Sequence, residues 1–188
     1  MSRPEIGTEY AADTGTGLAR AIIEECRARG WTLGTAESLT GGRVAAELIC
    51  VPGASDVVRG GIVAYAVDLK ESVLGVSADV LARHGAVSRE CAEAMASGAR
   101  GVLGVDVVLA TTGVAGPDPS EGHPPGAVHL AVRGPDVDGE EVGAHRALTT
   151  RGTRSQIRNE ATAQGLSLLL ATIQSTPPAA PSHSGGVL

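Results

Sequence analysis

The apolar residues of the chain follow helical and strand-like spacings in alternation. Near the start, Leu18, Ile22, Ile23 and Cys26 recur at helical intervals, and Gly30 follows them as a natural C-cap. The pattern then predicts, in order, a strand over 31–36, a helix over 43–50, a strand over 61–65, two short helices within 69–83, a helix over 89–103, a strand over 105–111, and strands over 127–132 and 142–148 around a Pro-Asp-Val-Asp-Gly turn. This alternation predicts a single-domain α/β layered fold whose mixed, partly parallel sheet is flanked by helices.

The last predicted helix has the clearest start signal. Thr153 and Gln156 are spaced as a capping box, T-x-x-Q. Ile157, Ala161 and Leu168 then continue an apolar stripe at helical spacing. We therefore expect a long amphipathic helix that begins just after Thr153.

Length and composition indicate one domain with two loose ends. The chain has 188 residues, of which 43% are hydrophobic, and this suits a single core. Residues 1–14 are polar and unpatterned and predict a flexible arm, whereas residues 15–174 carry the predicted domain. Residues 175–188 are rich in Pro, Ser and Gly and predict a disordered tail. Aromatic residues are only 2%, so the core must consist of Val, Leu, Ile and Ala.

Charge and cysteine usage narrow the class of protein. The net charge is -6 and no basic stripe is present, which argues against a nucleic-acid partner. No apolar run approaches the ~20 residues that cross a bilayer, and no signal peptide is evident, so we expect no membrane contact. Cys26, Cys50 and Cys91 are far apart and are predicted to be reduced, packed thiols of a cytoplasmic protein.

The first candidate site is AESLTGG at 36–42, where a strand ends and a helix begins. Ligands of open α/β sheets bind beyond the carboxyl ends of the strands, so Ser38 is expected to point into such a site. Gly41 and Gly42 would let a phosphate approach the helix start closely. The alternative is that Ser38 or Thr40 only caps the helix.

Two further candidates lie along the same predicted edge. Tyr65 ends an apolar strand, and Lys70 follows just beyond a turn. A lysine in an apolar pocket has a lowered pKa and can act as a base, and a neighbouring tyrosine can relay a proton. The alternative is an interface tyrosine and a solvated lysine. The segment TGVAGP at 112–117 follows the best buried strand, and its paired glycines predict a loop that lies against a ligand. The alternative is a structural turn. The polar, proline-rich residues 118–125 predict a mobile flap.

Several common sites are excluded by their motifs. The chain has no G-x-x-x-x-G-K-[ST] phosphate loop and no G-x-S-x-G nucleophile elbow. Gly15-Thr-Gly17 lacks the third glycine and the preceding strand of a dinucleotide fingerprint. The five histidines show no metal-ligand spacing, so we expect no metal site.

Taken together, these segments resemble the CinA C-terminal domain family, which includes stand-alone nicotinamide-mononucleotide deamidases. The matching segments are AESLTGG at 36–42, VPGAS at 51–55, GGIVAY at 60–65 with Lys70, LGV at 74–76, HGAVS at 84–88, TGVAGP at 112–117, and Arg154 with Ile157-Arg158. Relatives often carry Lys-Pro-Val-Gly where this chain has HPPG at 123–126, and many carry Cys where it has Leu39. The N-terminal domain of longer members does not match this sequence, which favours a dedicated enzyme.

The resemblance implies a metal-independent, cofactor-free amidohydrolase that converts nicotinamide mononucleotide to nicotinate mononucleotide and ammonia. It implies that Ser38, Tyr65 and Lys70 are catalytic, that N–H groups near the helix start hold the oxyanion, and that the enzyme is a homo-oligomer. The implied substrate-binding residues are Glu37, Thr40, Gly41, Gly42, Gly113, Ala115, Gly116 and Arg154. Two alternatives stay open: a non-catalytic nucleotide-binding or partner-binding module, and an amidase for another pyridine or nucleoside amide.

Overall fold

The computed structural model describes residues 15–137 and 140–177. The predicted arm at 1–14 and positions 178–188 of the predicted tail lie outside the described residues. The helices are α1 (Gly15–Arg29), α2 (Arg43–Ile49), α3 (Val67–Ser72), α4 (Ala78–His84), α5 (Arg89–Leu103) and α6 (Arg154–Ser175). The strands are β1 (Leu33–Glu37), β2 (Val58–Val63), β3 (Val107–Gly113), β4 (Ala127–Val137) and β5 (Glu140–Thr149).

The five strands form one mixed sheet in the order β2-β1-β3-β4-β5. Strand β1 pairs in parallel with β2 and with β3, whereas β4 is antiparallel to both β3 and β5. The predicted fold class, a layered α/β fold with a partly parallel sheet, is therefore confirmed. Because β2, β1 and β3 run in the same direction, their carboxyl ends meet at one edge of the sheet.

Two apolar layers cover the two faces of the sheet. Leu33, Leu109 and Leu130 face a cluster that includes residues of α1, α2 and α6. Val108 and Ala131 face the opposite way, into a cluster that includes residues of α5. Successive side chains of β3 alternate between these two layers, so the strand is buried at six of its seven positions.

The capping box of the last helix is present as predicted. The Thr153 hydroxyl accepts the Gln156 N–H, and the Gln156 side chain accepts the Thr153 N–H at 2.8 Å. Together these two bonds satisfy backbone donors that a helix start leaves without intrahelical partners. Helix α6 therefore begins where the sequence indicates, which matters because Arg154 is its first residue.

Three sequence expectations need correction. Strand β2 ends at Val63, so Tyr65 lies two residues beyond the strand. Strand β4 continues to Val137, through part of the predicted turn, because its pairing with β5 resumes at Asp136 after an irregularity. Pairing with β3 ends at Arg133, so Pro135, which has no N–H to donate, lies where β4 has no β3 neighbour. Cys50 is exposed at the end of α2, unlike the two buried cysteines.

In the part of the chain that the structure describes, no helix has the length and apolar character needed to cross a membrane.

Candidate active site

Ser38 follows β1 directly and is held by the two neighbouring strands. Its N–H donates to the Thr111 carbonyl at 2.9 Å, and the N–H of Ala64 donates to the Glu37 carbonyl at 2.9 Å. These bonds extend the parallel pairing one step past the ends of β1 and β2. Ser38 is 7% exposed, so its backbone is fixed while its hydroxyl reaches the edge of the sheet.

Lys70 lies on α3 and points back to this edge. It is 2% exposed, and its Nζ donates to Ser38 Oγ at 3.1 Å and to the Ala64 carbonyl at 2.8 Å. A longer bond of 3.4 Å joins Nζ to the Tyr65 carbonyl. Lys70 is also the only lysine among the 188 residues. Lysine is almost never fully buried without partners, so this placement marks a specialised residue.

The environment of Lys70 favours its uncharged form. Burial lowers the pKa of Lys70 below 10.5, and the neighbouring Cys91 and Glu121 oppose this shift in part. Burial also raises the pKa of the Cys91 thiol to about 11, so Cys91 is neutral near pH 7. An amine whose pKa is lowered in this way can take a proton from a hydroxyl 3.1 Å distant.

Tyr65 contributes its hydroxyl to a different contact from the one predicted. The ring is 58% exposed, and the hydroxyl accepts from Arg154 Nη2 at 2.8 Å. Arg154 Nη1 also donates to the Gly116 carbonyl at 2.6 Å. Lys70 meets the backbone carbonyl of Tyr65 and contacts Ser38 directly. The tyrosine hydroxyl is therefore not needed as a relay between Ser38 and Lys70.

A cavity of about 250 Å³ opens above this group of residues. Its lining brings together seven of the eleven residues singled out from the sequence: Ser38, Tyr65, Lys70, Gly113, Ala115, Gly116 and Arg154. The wall is completed on one side by Asp118, Ser120 and Glu121, which belong to the predicted flap. The cavity is thus lined by two cationic side chains, Lys70 and Arg154, and by two carboxylates, Asp118 and Glu121.

Glu37, predicted to bind substrate, has a structural role instead. Its side chain is 0% exposed, and its carboxylate accepts the N–H groups of Gly42 at 2.8 Å, Val44 at 3.1 Å and Ala45 at 2.9 Å. Glu37 therefore caps α2 from outside the helix. These three N–H groups of the helix start are therefore not free to hold the predicted phosphate or oxyanion.

The other three predicted contacts of this motif also lie off the cavity wall. Thr40 is fully buried, and its hydroxyl is bonded to that of Thr111 at 2.7 Å. A Cβ at Gly41 would lie 2.8 Å from the Arg158 guanidinium, and Gly42 is the N-cap with φ 89°. The alternative that Ser38 or Thr40 caps α2 is wrong as well, because Glu37 provides the cap.

The two glycines of TGVAGP are packed closely against neighbouring residues and also line the cavity. A Cβ at Gly113 would lie 2.5 Å from the Ala127 carbonyl, and one at Gly116 would lie 3.0 Å from the Pro125 side chain. The Gly116–Pro117 peptide is cis. Both glycines line the cavity, so the structural and the ligand-contact interpretations are compatible at these two positions.

Sequence reasoning gave no role in the site to Arg158, although it matched the family pattern, or to Glu121. The Arg158 guanidinium donates to the carbonyls of Leu39 at 2.9 Å and Thr40 at 2.7 Å, and burial together with nearby Arg43 and Arg154 lowers its pKa. No spacing rule connects residues so far apart in the chain. Composition does not identify them either, because the single lysine in a chain with 14 arginines draws attention to Lys70 alone. Within residues 15–137 and 140–177, no group of three or more His, Cys, Asp or Glu is arranged to hold a metal ion.

Known proteins match this chain in sequence and in fold. A profile of the CinA C-terminal domain matches residues 15–173. A CinA-like protein of Frankia casuarinae is 44% identical over 176 residues, covering 94% of this chain and 40% of that protein. A CinA-like protein of Gemmatimonas aurantiaca is 41% identical over 162 residues, covering 86% of this chain and 37% of that protein. The chain therefore spans less than half the length of these curated relatives.

Solved structures agree with the sequence matches. The competence/damage inducible protein CihA of Agrobacterium tumefaciens has a TM-score of 0.79 at 36% identity, over 86% of this chain and 96% of that one. A CinA superfamily protein of Klebsiella pneumoniae has a TM-score of 0.80 at 30% identity, over 88% of this chain and 100% of that one. Sequence and structure together establish that this chain belongs to the CinA C-terminal domain family.

Proposed function

We propose that this protein hydrolyses the carboxamide of nicotinamide mononucleotide to give nicotinate mononucleotide and ammonia, without a metal or cofactor. Ser38 is the nucleophile and Lys70 is the general base. The observation that carries the proposal is the 3.1 Å contact between Lys70 Nζ and Ser38 Oγ at the floor of a cavity. A buried lysine with a lowered pKa and a serine in hydrogen-bond reach form the minimal pair for acyl transfer.

The backbone around Lys70 fixes the direction of its amine. In the neutral form, two N–H groups stay on the carbonyls of Ala64 and Tyr65. The lone pair is then directed at Ser38 Oγ, which is the third contact of Nζ. The amine therefore needs no reorientation before it accepts the serine proton, and this lowers the entropic cost of the step.

The proposed reaction balances with water as the only co-reactant. Ser38 Oγ attacks the carboxamide carbon while Lys70 takes the hydroxyl proton. Collapse of the tetrahedral intermediate breaks the C–N bond, and Lys70 returns the proton to the departing nitrogen as ammonia leaves. Water then attacks the ester on Ser38 while Lys70 accepts a proton from that water, and Lys70 returns this proton to Ser38 Oγ as the C–O bond breaks and nicotinate mononucleotide is released.

Arg154 is the residue we assign to the substrate phosphate. It lies on the cavity wall, at the first turn of α6, and is part of a cationic group with Arg43 and Arg158. Guanidinium groups bind phosphate oxygens with charge-assisted hydrogen bonds. In this proposal Tyr65 supports Arg154 through its hydroxyl and does not move the serine proton.

The buried lysine favours an enzyme over a non-catalytic binding module. Removing an amine from water is costly, and a pure binder gains nothing from a lysine directed at a serine inside a cavity.

The choice among pyridine amides rests on the size of the cavity and on the charge of its wall. A cavity of about 250 Å³ with Arg154 on one wall suits a mononucleotide with a single phosphate.

The exposed apolar side chains near Tyr65 bear on assembly. Val63, Val67, Leu69 and Val73 are apolar side chains that are 37–47% exposed near Tyr65. Exposed apolar residues on an edge strand and the adjoining helix favour contact with a second copy. We propose a cytoplasmic homo-oligomer, and the molar mass of the purified protein from light scattering at assay concentration tests the assembly.

A substrate panel tests the function. Ammonia release is measured with nicotinamide mononucleotide, nicotinamide riboside, nicotinamide and NAD in parallel, with and without prior dialysis against EDTA. We expect the mononucleotide to have the highest kcat/KM and EDTA to have no effect. Equal rates on free nicotinamide would contradict the phosphate assignment, and a loss of activity that zinc restores would contradict the metal-independent mechanism.

A further inference from the structure

Glu121 is a cavity residue that the proposed chemistry does not use. Its φ is 50°, a left-handed conformation that is uncommon for residues with a Cβ. On either side, Ser120 and His123 are joined by two backbone hydrogen bonds of 3.1 and 2.9 Å. Residues 120–123 therefore form a tight turn, with Glu121 and Gly122 at its tip.

The Glu121 carboxylate is bound by the backbone of a neighbouring turn. Oε2 accepts the N–H of Ala86 at 2.7 Å and that of Val87 at 3.4 Å. Gly85 has φ 75°, and a Cβ there would lie 2.8 Å from the same oxygen. The turn before α5 thus leaves space for the Glu121 carboxylate. A side chain at position 85 would reduce that space.

This turn is also bonded to the end of β3. Thr112 Oγ1 donates to the Ala86 carbonyl at 2.6 Å, while the Ala86 N–H donates to Glu121. Ala86 is therefore connected to the sheet on one side and to the 118–125 loop on the other. Thr112, Ala86 and Glu121 all line the cavity, so these two bonds join three parts of its wall.

Glu121 also places a carboxylate in the cavity that the proposed base lines. Lys70 contacts the Ser38 hydroxyl and the carbonyls of Ala64 and Tyr65, and the Cys91 thiol of α5 and the Glu121 carboxylate act on its charge. The thiol is neutral near pH 7 because burial raises its pKa to about 11. Glu121 is then the charged neighbour that opposes the effect of burial on the Lys70 ammonium.

We propose that Glu121 is a positioning residue of this site: it holds the 118–125 loop against the cavity through its bonds to the Ala86 and Val87 N–H groups, and its carboxylate acts on Lys70 across the cavity that both residues line. The first role acts on the shape of the cavity and the second on the strength of the base. The proposal rests on the function proposed for Ser38 and Lys70.

Three substitutions separate the two roles. Glu121→Gln removes the charge but keeps an oxygen that can accept the Ala86 N–H. Glu121→Ala removes both the charge and the contact. Asp118→Asn is the matched control, because it removes one negative charge from the same loop and the same cavity wall. Circular dichroism and thermal unfolding establish that each variant is folded.

The protonation of Lys70 can be measured without substrate. Since the chain has one lysine, labelling with [13C,15N]-lysine gives a single side-chain signal whose titration is followed by NMR. We expect the midpoint to move to lower pH in Glu121→Gln and Glu121→Ala and to stay in place in Asp118→Asn. An unchanged midpoint in Glu121→Gln would overturn the electrostatic role.

Kinetics test the loop contact. With nicotinamide mononucleotide, Glu121→Gln should move the ascending limb of kcat/KM to lower pH with little change in KM. Glu121→Ala should add a rise in KM and a loss of kcat/KM of roughly tenfold or more, because the cavity wall is no longer held. Unchanged kinetic constants in Glu121→Ala would overturn the positioning role. If the wild-type protein does not turn over the substrate, the proposed function fails, while the NMR titration still decides whether Glu121 acts on Lys70.

Discussion

Lys70 Nζ lies 3.1 Å from Ser38 Oγ, although the two residues come from different elements 32 positions apart in the chain. Ala64 connects them: its N–H continues the pairing beside Ser38, and its carbonyl accepts a hydrogen bond from Nζ. One short backbone segment therefore determines where the serine and the lysine meet. The proposed catalytic pair is held by the sheet edge itself rather than by long flexible loops.

The pH dependence of the reaction should follow Lys70. Burial lowers its pKa below 10.5, and the neutral amine is the active base, so kcat/KM should rise with pH through that lowered value. The limb should be absent from the residual activity of Lys70→Ala. Because the substrate phosphate itself ionises near ~6, the profile is measured with the riboside as well. A wild-type profile that is flat from neutral pH to 10 would show that Lys70 is not the base.

Arg154 is expected to act on substrate binding. Arg154→Ala should raise KM for nicotinamide mononucleotide by roughly tenfold or more, since a hydrogen bond to a charged group contributes ~1.5–3 kcal/mol. The riboside, which lacks the phosphate, should show a much smaller change. Arg59→Ala is the control, because Arg59 is an exposed arginine near the opposite end of β2. Equal effects on mononucleotide and riboside would assign Arg154 to the pyridine or ribose end.

Glu37 should matter for stability more than for substrate affinity. Its carboxylate accepts three N–H groups at the start of α2, and removing it leaves those buried donors without partners. We expect Glu37→Ala to lower the free energy of unfolding by at least about 2 kcal/mol, measured by urea denaturation. Glu47→Ala, on the same helix, should change it by less than about 0.5 kcal/mol. A Glu37→Ala protein as stable as the wild type would contradict the capping role.

Two glycines of α5 provide a matched pair. A Cβ at Gly98 would lie 1.7 Å from the Leu74 carbonyl, whereas one at Gly101 would meet nothing within 4 Å. Gly98→Ala should therefore destabilise the fold by ~1–3 kcal/mol. Because the Val76 N–H donates to the Lys70 carbonyl at 3.0 Å, displacing this segment should also lower activity. Gly101→Ala should instead gain ~0.5–1 kcal/mol with activity unchanged, and similar behaviour of the two variants would contradict the packing described for α5.

Much of the fold could be predicted because its signals are local. The apolar run of β3, the helical spacing at the start of the chain and the capping box at Thr153 each involve residues within a few positions of one another. The end of β2 and the extent of β4 could not be predicted in this way. Both depend on which neighbouring strand is present at each position, and that is a property of the assembled sheet.

Residues of the site could be predicted where a motif lies at the end of a strand. They could not be predicted where a side chain bonds to a neighbouring backbone segment instead of facing the cavity. Ser38 and Lys70 lie at the cavity as expected, whereas Glu37 turns away from it to bind the helix start. Nothing in AESLTGG distinguishes a carboxylate that contacts a ligand from one that caps the following helix. Glu121 was missed because its partner, Ala86, contributes only backbone atoms, which carry no sequence signature.

The most direct test of the account is ammonia release from nicotinamide mononucleotide by the wild-type protein and by Ser38→Ala, measured together at one pH on the ascending limb. Ser38→Ala removes a single oxygen from a residue whose backbone is fixed by Thr111, so the variant should remain folded. The account predicts turnover by the wild type and a loss of at least about a thousandfold in the variant, because the nucleophile is gone. Turnover within a few-fold of wild type in a folded Ser38→Ala protein would contradict the central claim that Ser38, activated by Lys70, attacks the amide.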